Sequence, residues 1–235
     1  MIWRLQGGRH LDFCRRVQIF GVLNVTPDSF YDGGRYFDPE RAAEHAMRLS
    51  GEGADVIDIG GESSRPPIYG QAQTIDREEE CRRVVPVVEA LRRQSDVPVS
   101  VDTVKADVAR RALAAGADII NDISAFEYDS GAMADVAAES GAPVILMHRR
   151  GTAATMQQDT EYDDLVGDIR TYLTARVDFA QQRGIGTDAI VVDPGVGFGK
   201  STDGNREIIR RAGEFSIGGC PVVIGASRKS FVWKP

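Results

Sequence analysis

Seven short apolar runs, rich in Val and Ile, alternate along this chain with segments of helical pattern. Strands that are buried on both faces have this composition, so each run is predicted to be a strand of a parallel sheet. The predicted strands cover 17–23, 54–59, 97–101, 117–120, 142–147, 189–192 and 221–224. The predicted helices cover 39–52, 76–94, 105–115, 131–139, 162–183 and 204–212. Repeated βα units predict an α/β fold with right-handed crossovers.

A polar or charged residue follows every predicted strand. These positions are Asn24, 60–65, Asp102, Asn121 with Asp122, His148 with Arg149, Asp193 and 227–230. In a (β/α)8 TIM barrel the carboxyl ends of the strands converge on one face, where active sites lie. A doubly wound open sheet is the alternative, but it would bring few strand ends to one ligand. The pattern therefore favours the barrel.

Only about seven βα units are visible, and no Pro- or Ser-rich linker divides the chain. We expect one barrel domain over 1–235 that is truncated before an eighth unit. Residues 1–16 mix charges with Trp3 and Phe13 and are predicted to form a short hairpin that closes the bottom of the barrel. Several helices end at a glycine, which suits a helix C-cap; the examples are Gly53, Gly116, Gly141 and Gly184.

Composition excludes several function classes. The net charge of −7 argues against nucleic acid as the main partner. No apolar run reaches the roughly 18 residues of a membrane span, so no membrane partner is expected. The three cysteines lack metal or redox spacing, which indicates reduced thiols in a cytoplasmic protein. The oligomeric state stays open, with a homodimer among the options.

Two loops are candidates for binding an anionic substrate. The loop that begins at Asn24 is longer than the usual two to six residues of a βα turn and carries Asp28 and Phe30. In the loop over 60–67, glycine N–H groups, Ser64 and Arg65 are suited to a phosphate. The alternatives are an ordinary βα connection and a polar loop with one solvated arginine.

Further strand ends carry groups suited to a nitrogen heterocycle. A carboxylate such as Asp102 or Asp193 accepts two N–H bonds, and the Asn121 amide serves a ring nitrogen and its neighbour together. Two inward carboxylates repel each other unless a donor-rich ligand lies between them. Phe198 is a candidate pocket wall, and Lys229 a candidate partner of a ring oxygen. The alternative is that each Asp is only a structural cap.

Together these motifs resemble dihydropteroate synthases from about residue 18 to residue 231. The matching sequences are Asn-Val-Thr-Pro-Asp-Ser-Phe-Tyr-Asp-Gly-Gly from Asn24, Gly-Gly-Glu-Ser-Ser-Arg-Pro from Gly60, Asp102, Asn121, Asp-Pro-Gly from Asp193 and Ser-Arg-Lys-Ser from Ser227. Ser64 and Pro67 stand where the family has Thr and Gly, and Arg149 stands where it usually has Met. The resemblance does not settle the roles of His148 and Arg149, and an Arg-x-His pair of the family's last strand is absent.

The resemblance implies a transferase of folate biosynthesis, a sulfonamide target, that condenses a dihydropterin-methyl diphosphate with 4-aminobenzoate and uses Mg²⁺. Carried over residue by residue, the pterin contacts are Asp102, Asn121, Asp193 and Lys229. Asn24 would bind Mg²⁺ and the diphosphate, and Ser64 and Arg65 would contact the substrate or its leaving group. The aminobenzoate contacts would be Asp28, Phe30, Pro66 and Ser230. The catalytic set would be Asn24, Arg65, Asp102 and Lys229.

Two other functions remain open from the sequence. One is the pterin-binding module of a corrinoid methyltransferase, which would not need the Thr-Pro-Asp-Ser-Phe loop or the Ser-Arg-Lys-Ser turn. The other is a non-catalytic pterin-binding remnant without the eighth unit.

Overall fold

The computed structural model describes residues 1–26, 38–62, 74–151, 155–156, 158–227 and 229–232. The strands are β1 (Ile2–Arg4), β2 (His10–Asp12), β3 (Phe20–Asn24), β4 (Val56–Gly60), β5 (Val99–Asp102), β6 (Ile119–Asp122), β7 (Val144–Met147) and β8 (Ile190–Asp193). The helices are α1 (Pro39–Gly51), α2 (Arg77–Arg92), α3 (Ala106–Ala114), α4 (Ala132–Ser140), α5 (Leu165–Gln182) and α6 (Thr202–Arg210).

The six strands β3 to β8 form one parallel sheet in sequential order, with helices between them along the chain. This is the order that a series of right-handed βα units produces. The seventh predicted strand, 221–224, also runs parallel to β8, but it pairs only through the bridge between Val192 and Val222. Because Pro221 has no backbone N–H to donate, regular pairing cannot include it as a donor. Its carbonyl instead accepts from Val192 N at 3.0 Å.

Helix ends follow the local signals in the sequence. The Asp38 side chain caps α1 by accepting from the N–H groups of Glu40 and Arg41, and Pro39 is the first helical residue. After the C-terminal ends of α3 and α4, Gly116 and Gly141 have φ angles of 110° and 68°. A residue with a Cβ adopts such angles only under strain, so glycine is needed where α3 and α4 end.

Although Val22 on the inner face of β3 is 57% exposed, most of the sheet is buried on both faces. Its outer face packs against the helices through a large cluster of Val, Ile, Leu and Ala side chains. On the inner face, near the amino ends of the strands, the antiparallel pair β1–β2 inserts Trp3, Leu5 and Leu11 against a layer that contains Val56 and Ile119. The predicted hairpin at the bottom of the fold is thus confirmed. Among the described residues, no helix is long and apolar enough to cross a membrane.

Candidate active site

The polar strand ends that the sequence singled out lie side by side on the inner face of the sheet. Asn24 pairs with Gly60 across β3 and β4, and Gly60 pairs with Asp102 across β4 and β5. Asp102 in turn pairs with Asn121 on β6. Because residues that pair directly across parallel strands share a face, these residues lie together at the carboxyl end of the inner face of the sheet, the region that we call the pocket.

Three carboxylates lie on this inner face: Asp102 and Asp193 at strand ends, and Asp58 one layer below. We call these three the inner carboxylates. Burial raises the pKa of all three, because it disfavours the charged form. The pKa of Asp58 rises to about 6, and the charge of Asp193 contributes to that rise. After burial, the charge of Asp58 is the largest cause of the raised pKa of Asp102. The pocket therefore concentrates negative charge that a donor-rich ligand would relieve.

Asn121 contacts one of these carboxylates, Asp58, through a side-chain hydrogen bond. Its Nδ2 donates to Oδ2 of Asp58 at 3.1 Å. The hydroxyl of Ser100, which pairs with Asp58 across the strands, is near enough to favour the ionised carboxylate, but its geometry falls short of a hydrogen bond. Oδ1 of Asp58 and Oγ of Ser100 are thus buried atoms without a hydrogen-bond partner among the described residues.

Lys229 brings a positive charge to the same pocket. Its Nζ lies 4.6 Å from the centroid of the Phe198 ring and donates to the carbonyl of Val196. Burial lowers the pKa of Lys229, and Asp193 counteracts this effect. Asp193 is itself held by the N–H of Gly195, which donates to its Oδ1 at 2.7 Å. The structure therefore brings Asp193, Phe198 and Lys229 together.

A buried lysine fixes the turn after β8. Nζ of Lys200 contacts Nδ1 of His148 at 2.8 Å and donates to the carbonyls of His148 and Gly195 at 3.1 and 2.9 Å. Burial, and next the charge of Lys200, lowers the pKa of His148 to about 3, so the imidazole is neutral at physiological pH. Burial lowers the pKa of Lys200 to about 7. We call Lys200, His148 and Gly195 the lysine clamp; it joins the ends of β7 and β8.

A second buried lysine supports the ends of β4 and β5. Nζ of Lys105 donates to Glu62 at 2.6 Å and also to Glu80 on α2. The adjacent Gly61 carbonyl accepts from Arg83 at 3.0 Å. Because Lys105 follows Asp102 by three residues, this ion cluster fixes the turn that carries Asp102.

Several predicted site residues lie outside the described residues: Asp28, Phe30, Ser64, Arg65 and Pro66. Ser230 begins a short 3₁₀-helix, Ser230–Val232, and its side chain is not among those described. The roles assigned to these residues stay predictions. The structure does place Asn24, Asp102, Asn121, Asp193, Phe198 and Lys229 along the strand ends or on the turns that follow them.

Three residues of this site were not among the predicted site residues, namely Asp58, Ser100 and Lys200. A signal for Asp58 was present, because it is a charged residue flanked by Ile57 and Ile59 in the middle of a buried strand. Such a residue is rarely fully buried without a partner. The contacts of Lys200 with His148 span 52 positions of sequence, so no local pattern indicates them.

The residues of this face could supply only part of the coordination shell of Mg²⁺, with water and substrate phosphates supplying the rest. The amide oxygen of Asn24 is a hard oxygen ligand at the end of β3. Among the described residues there is no group of three His, Cys, Asp or Glu side chains that would hold a metal by itself. Mg²⁺ keeps several waters and is commonly bound by few protein groups plus substrate phosphates, so Asn24 fits this role.

The fold and the site together define a parallel α/β protein whose strand ends form an acidic pocket for a nitrogen heterocycle. A family model for pterin-binding enzymes matches residues 20–235. The dihydropteroate synthase of Synechocystis is 44% identical over 223 residues, which are 95% of this chain and 75% of that protein. The Escherichia coli dihydropteroate synthase is 42% identical, over 91% of this chain and 74% of that protein.

Solved structures agree with these relatives. A Yersinia pestis dihydropteroate synthase with a sulfonamide drug complex matches with a TM-score of 0.89 and 42% identity, over 99% of this chain and 82% of that one. The Xanthomonas albilineans dihydropteroate synthase in complex with 7,8-dihydropteroate matches with a TM-score of 0.82 and 40% identity, over 96% and 78%. The chain therefore belongs to the pterin-binding enzymes and, within them, to the dihydropteroate synthases. The predicted family and α/β fold are confirmed.

Proposed function

We propose that this chain condenses a (7,8-dihydropterin-6-yl)methyl diphosphate with 4-aminobenzoate, giving 7,8-dihydropteroate and diphosphate in folate biosynthesis. One observation carries the proposal: Asp102, Asn121, Asp193 and Lys229 lie together at and just after the strand ends, with Asp58 one layer below them. The chain that positions them is 41–44% identical to several dihydropteroate synthases.

The pocket suits a pterin ring by charge and by hydrogen bonding. Asp102 and Asp193 would accept from ring N–H groups and from the exocyclic amine, since a carboxylate is an acceptor only. Lys229 would donate to the ring carbonyl oxygen, and Phe198 would line the ring. The raised pKa values of the carboxylates give a physical reason for such a ligand, because its donors would stabilise charges that the free pocket disfavours.

In the reaction, the amine nitrogen of 4-aminobenzoate attacks the methylene carbon of the pterin. The C–O bond to the diphosphate breaks, the leaving group keeps the electron pair, and the attacking amine loses one proton. Positive charge develops on the pterin-methyl group as this bond breaks. Asp102 and Asp193 would stabilise that charge from fixed positions, and such preorganised charge is the usual source of electrostatic catalysis.

Most residues that we assign to the diphosphate and the aminobenzoate are assigned from the sequence alone, because their side chains lie outside the described residues. We assign Arg65 and Ser64 to the leaving group, and Asp28, Phe30, Pro66 and Ser230 to the aminobenzoate. Asn24 would hold Mg²⁺, which when bound neutralises charge on the diphosphate. All three cysteines are free, which supports the cytoplasmic location proposed from the sequence.

The direct test is to incubate the purified chain with both substrates and Mg²⁺ and to measure diphosphate release and dihydropteroate by mass spectrometry. We expect product that depends on all three components. Asn24→Ala should raise the Mg²⁺ concentration needed for half-maximal rate, whereas Arg210→Ala, on the exposed end of α6, should not. Pterin binding without any product would contradict the proposed activity and favour a non-catalytic pterin binder.

A further inference from the structure

Asp58 occupies an unusual place for a carboxylate, in the middle of β4 rather than at its end. It is 7% exposed, and it pairs in register with Val22 on β3 and with Ser100 on β5. It lies one layer below Gly60, the strand residue that pairs with Asp102. Asp58 therefore lies beneath the proposed pterin contacts rather than among them.

The hydrogen bond that Asp58 accepts from Asn121 determines how the Asn121 amide is oriented. Nδ2 of Asn121 donates to Oδ2 of Asp58 at 3.1 Å. An ionised carboxylate only accepts, so the amide nitrogen, not the amide oxygen, must face Asp58. The pKa of Asp58 is about 6, so the carboxylate is ionised at neutral pH, even though Asp102 and Asp193 face it with like charge.

The bond to Asp58 leaves Asn121 with one free N–H and its carbonyl oxygen. An amide offers two donors and one acceptor, and Asp58 uses one of the donors. The remaining donor and acceptor lie side by side, which is complementary to a ring nitrogen next to an exocyclic amine. If the amide were reversed, its NH₂ would meet the exocyclic amine, donor against donor.

We propose that Asp58 is a positioning residue that makes the pocket specific for a 2-amino-substituted heterocycle by fixing the orientation of the Asn121 amide. This inference rests on the proposed binding of a pterin. It adds the residue that determines which edge of the heterocycle can bond to Asn121. Oδ1 of Asp58 has no hydrogen-bond partner among the described residues. Within the described part of the chain, Asn121 is thus the one hydrogen-bond partner of Asp58.

The test compares two probes by calorimetry at pH 7.5: 6-hydroxymethylpterin and its analogue without the 2-amino group. The proteins are the unchanged chain, Asp58→Asn, and Asp163→Asn, which removes the same charge at an exposed position. We expect the unchanged chain and the Asp163→Asn variant to prefer the pterin by about tenfold or more. In Asp58→Asn that ratio should fall at least threefold, because an amide at position 58 accepts either orientation of Asn121.

Two outcomes would overturn the proposal: an unchanged ratio in Asp58→Asn, or an equal loss of affinity for both probes, which would indicate a merely structural role. If the unchanged chain binds neither probe, the proposed function itself fails. Should Asp58→Asn not fold, ¹⁵N spectra of the unchanged chain decide the question. Bound pterin should then shift one side-chain amide proton of Asn121 and leave the one on Asp58 in place, and a shift of both would refute the inference.

Discussion

Replacing Asp58 by Asn should stabilise the protein when no ligand is bound. The pKa of Asp58 rises from 3.8 to about 6 on folding, chiefly because the carboxylate is buried. This difference in pKa between the folded and unfolded chain corresponds to about 3 kcal/mol of lost stability at neutral pH. Against this, the variant weakens the hydrogen bond to Asn121, which contributes about 1 kcal/mol. We expect a net gain of about 1–2 kcal/mol at neutral pH.

The gain should depend on pH in a defined direction. Between pH 4 and pH 6 the folded chain holds a proton on Asp58 that the unfolded chain has lost. Stability therefore falls as pH rises through this window, and the loss persists above it. An asparagine has no such titration. The difference in stability between the Asp58→Asn variant and the unchanged chain should accordingly be small at pH 4 and reach its full size above about pH 6.

The assay is thermal unfolding of both proteins at pH 4, 5, 6 and 7.5, with the Asp163→Asn variant as the control for loss of one surface charge. For a chain of this length, 1 kcal/mol shifts the melting temperature by about 2–4 °C, so a rise of about 2–8 °C is expected at pH 7.5. A variant that melts lower than the unchanged chain at every pH, with no change in the difference between pH 4 and 7.5, would refute the reasoning.

Three further predictions follow from the site. Asp102→Asn and Lys229→Ala should each weaken pterin binding by about 1–3 kcal/mol, measured by calorimetry, and unchanged affinity in both would remove the pterin assignment. Lys200→Met should lower the free energy of unfolding by at least about 2 kcal/mol, because two carbonyls of the lysine clamp lose their donor, whereas Arg210→Met should not; urea unfolding measures both. Pterin binding should release protons at pH 6 and fewer at pH 8.5, because the inner carboxylates have raised pKa values and must ionise to accept from the N–H groups of the ligand. Calorimetry in buffers of different ionisation enthalpy measures the number of protons released.

The repeating units were predictable because their signals are local. Apolar runs, N-caps and C-terminal glycines each depend on a few neighbouring residues, and the helices and the six paired strands lie within a few residues of their predicted bounds. The predicted C-terminal end of β6 was two residues too early. The strand was predicted to end at Ile120, but it continues through Asn121 and Asp122. Strand alternation then turns only Asn121 inward, while Asp122 accepts from the N–H groups of Ser124 and Phe126.

The supporting residues of the site were not predictable, because their contacts join distant parts of the chain. Lys200 bonds to His148, 52 positions away, and Lys105 to Glu62, 43 positions away. In the sequence each is a lysine near a loop, a position that usually indicates a solvated charge. Only the folded sheet reveals that both are buried and that they connect neighbouring strand ends.

The buried charges of the site destabilise the free protein, and the same charges would serve binding and catalysis. The inner carboxylates destabilise the free fold, since each is held at a raised pKa by burial and by its neighbours. The two nearby cations, Lys200 and Lys229, offset this only in part, because both are attached to backbone carbonyls and have lowered pKa values. A ligand rich in N–H donors would stabilise the ionised carboxylates of such a pocket. The same charges would stabilise a pterin-methyl cation more strongly than the neutral pterin, which is the condition for using them in catalysis rather than in binding alone.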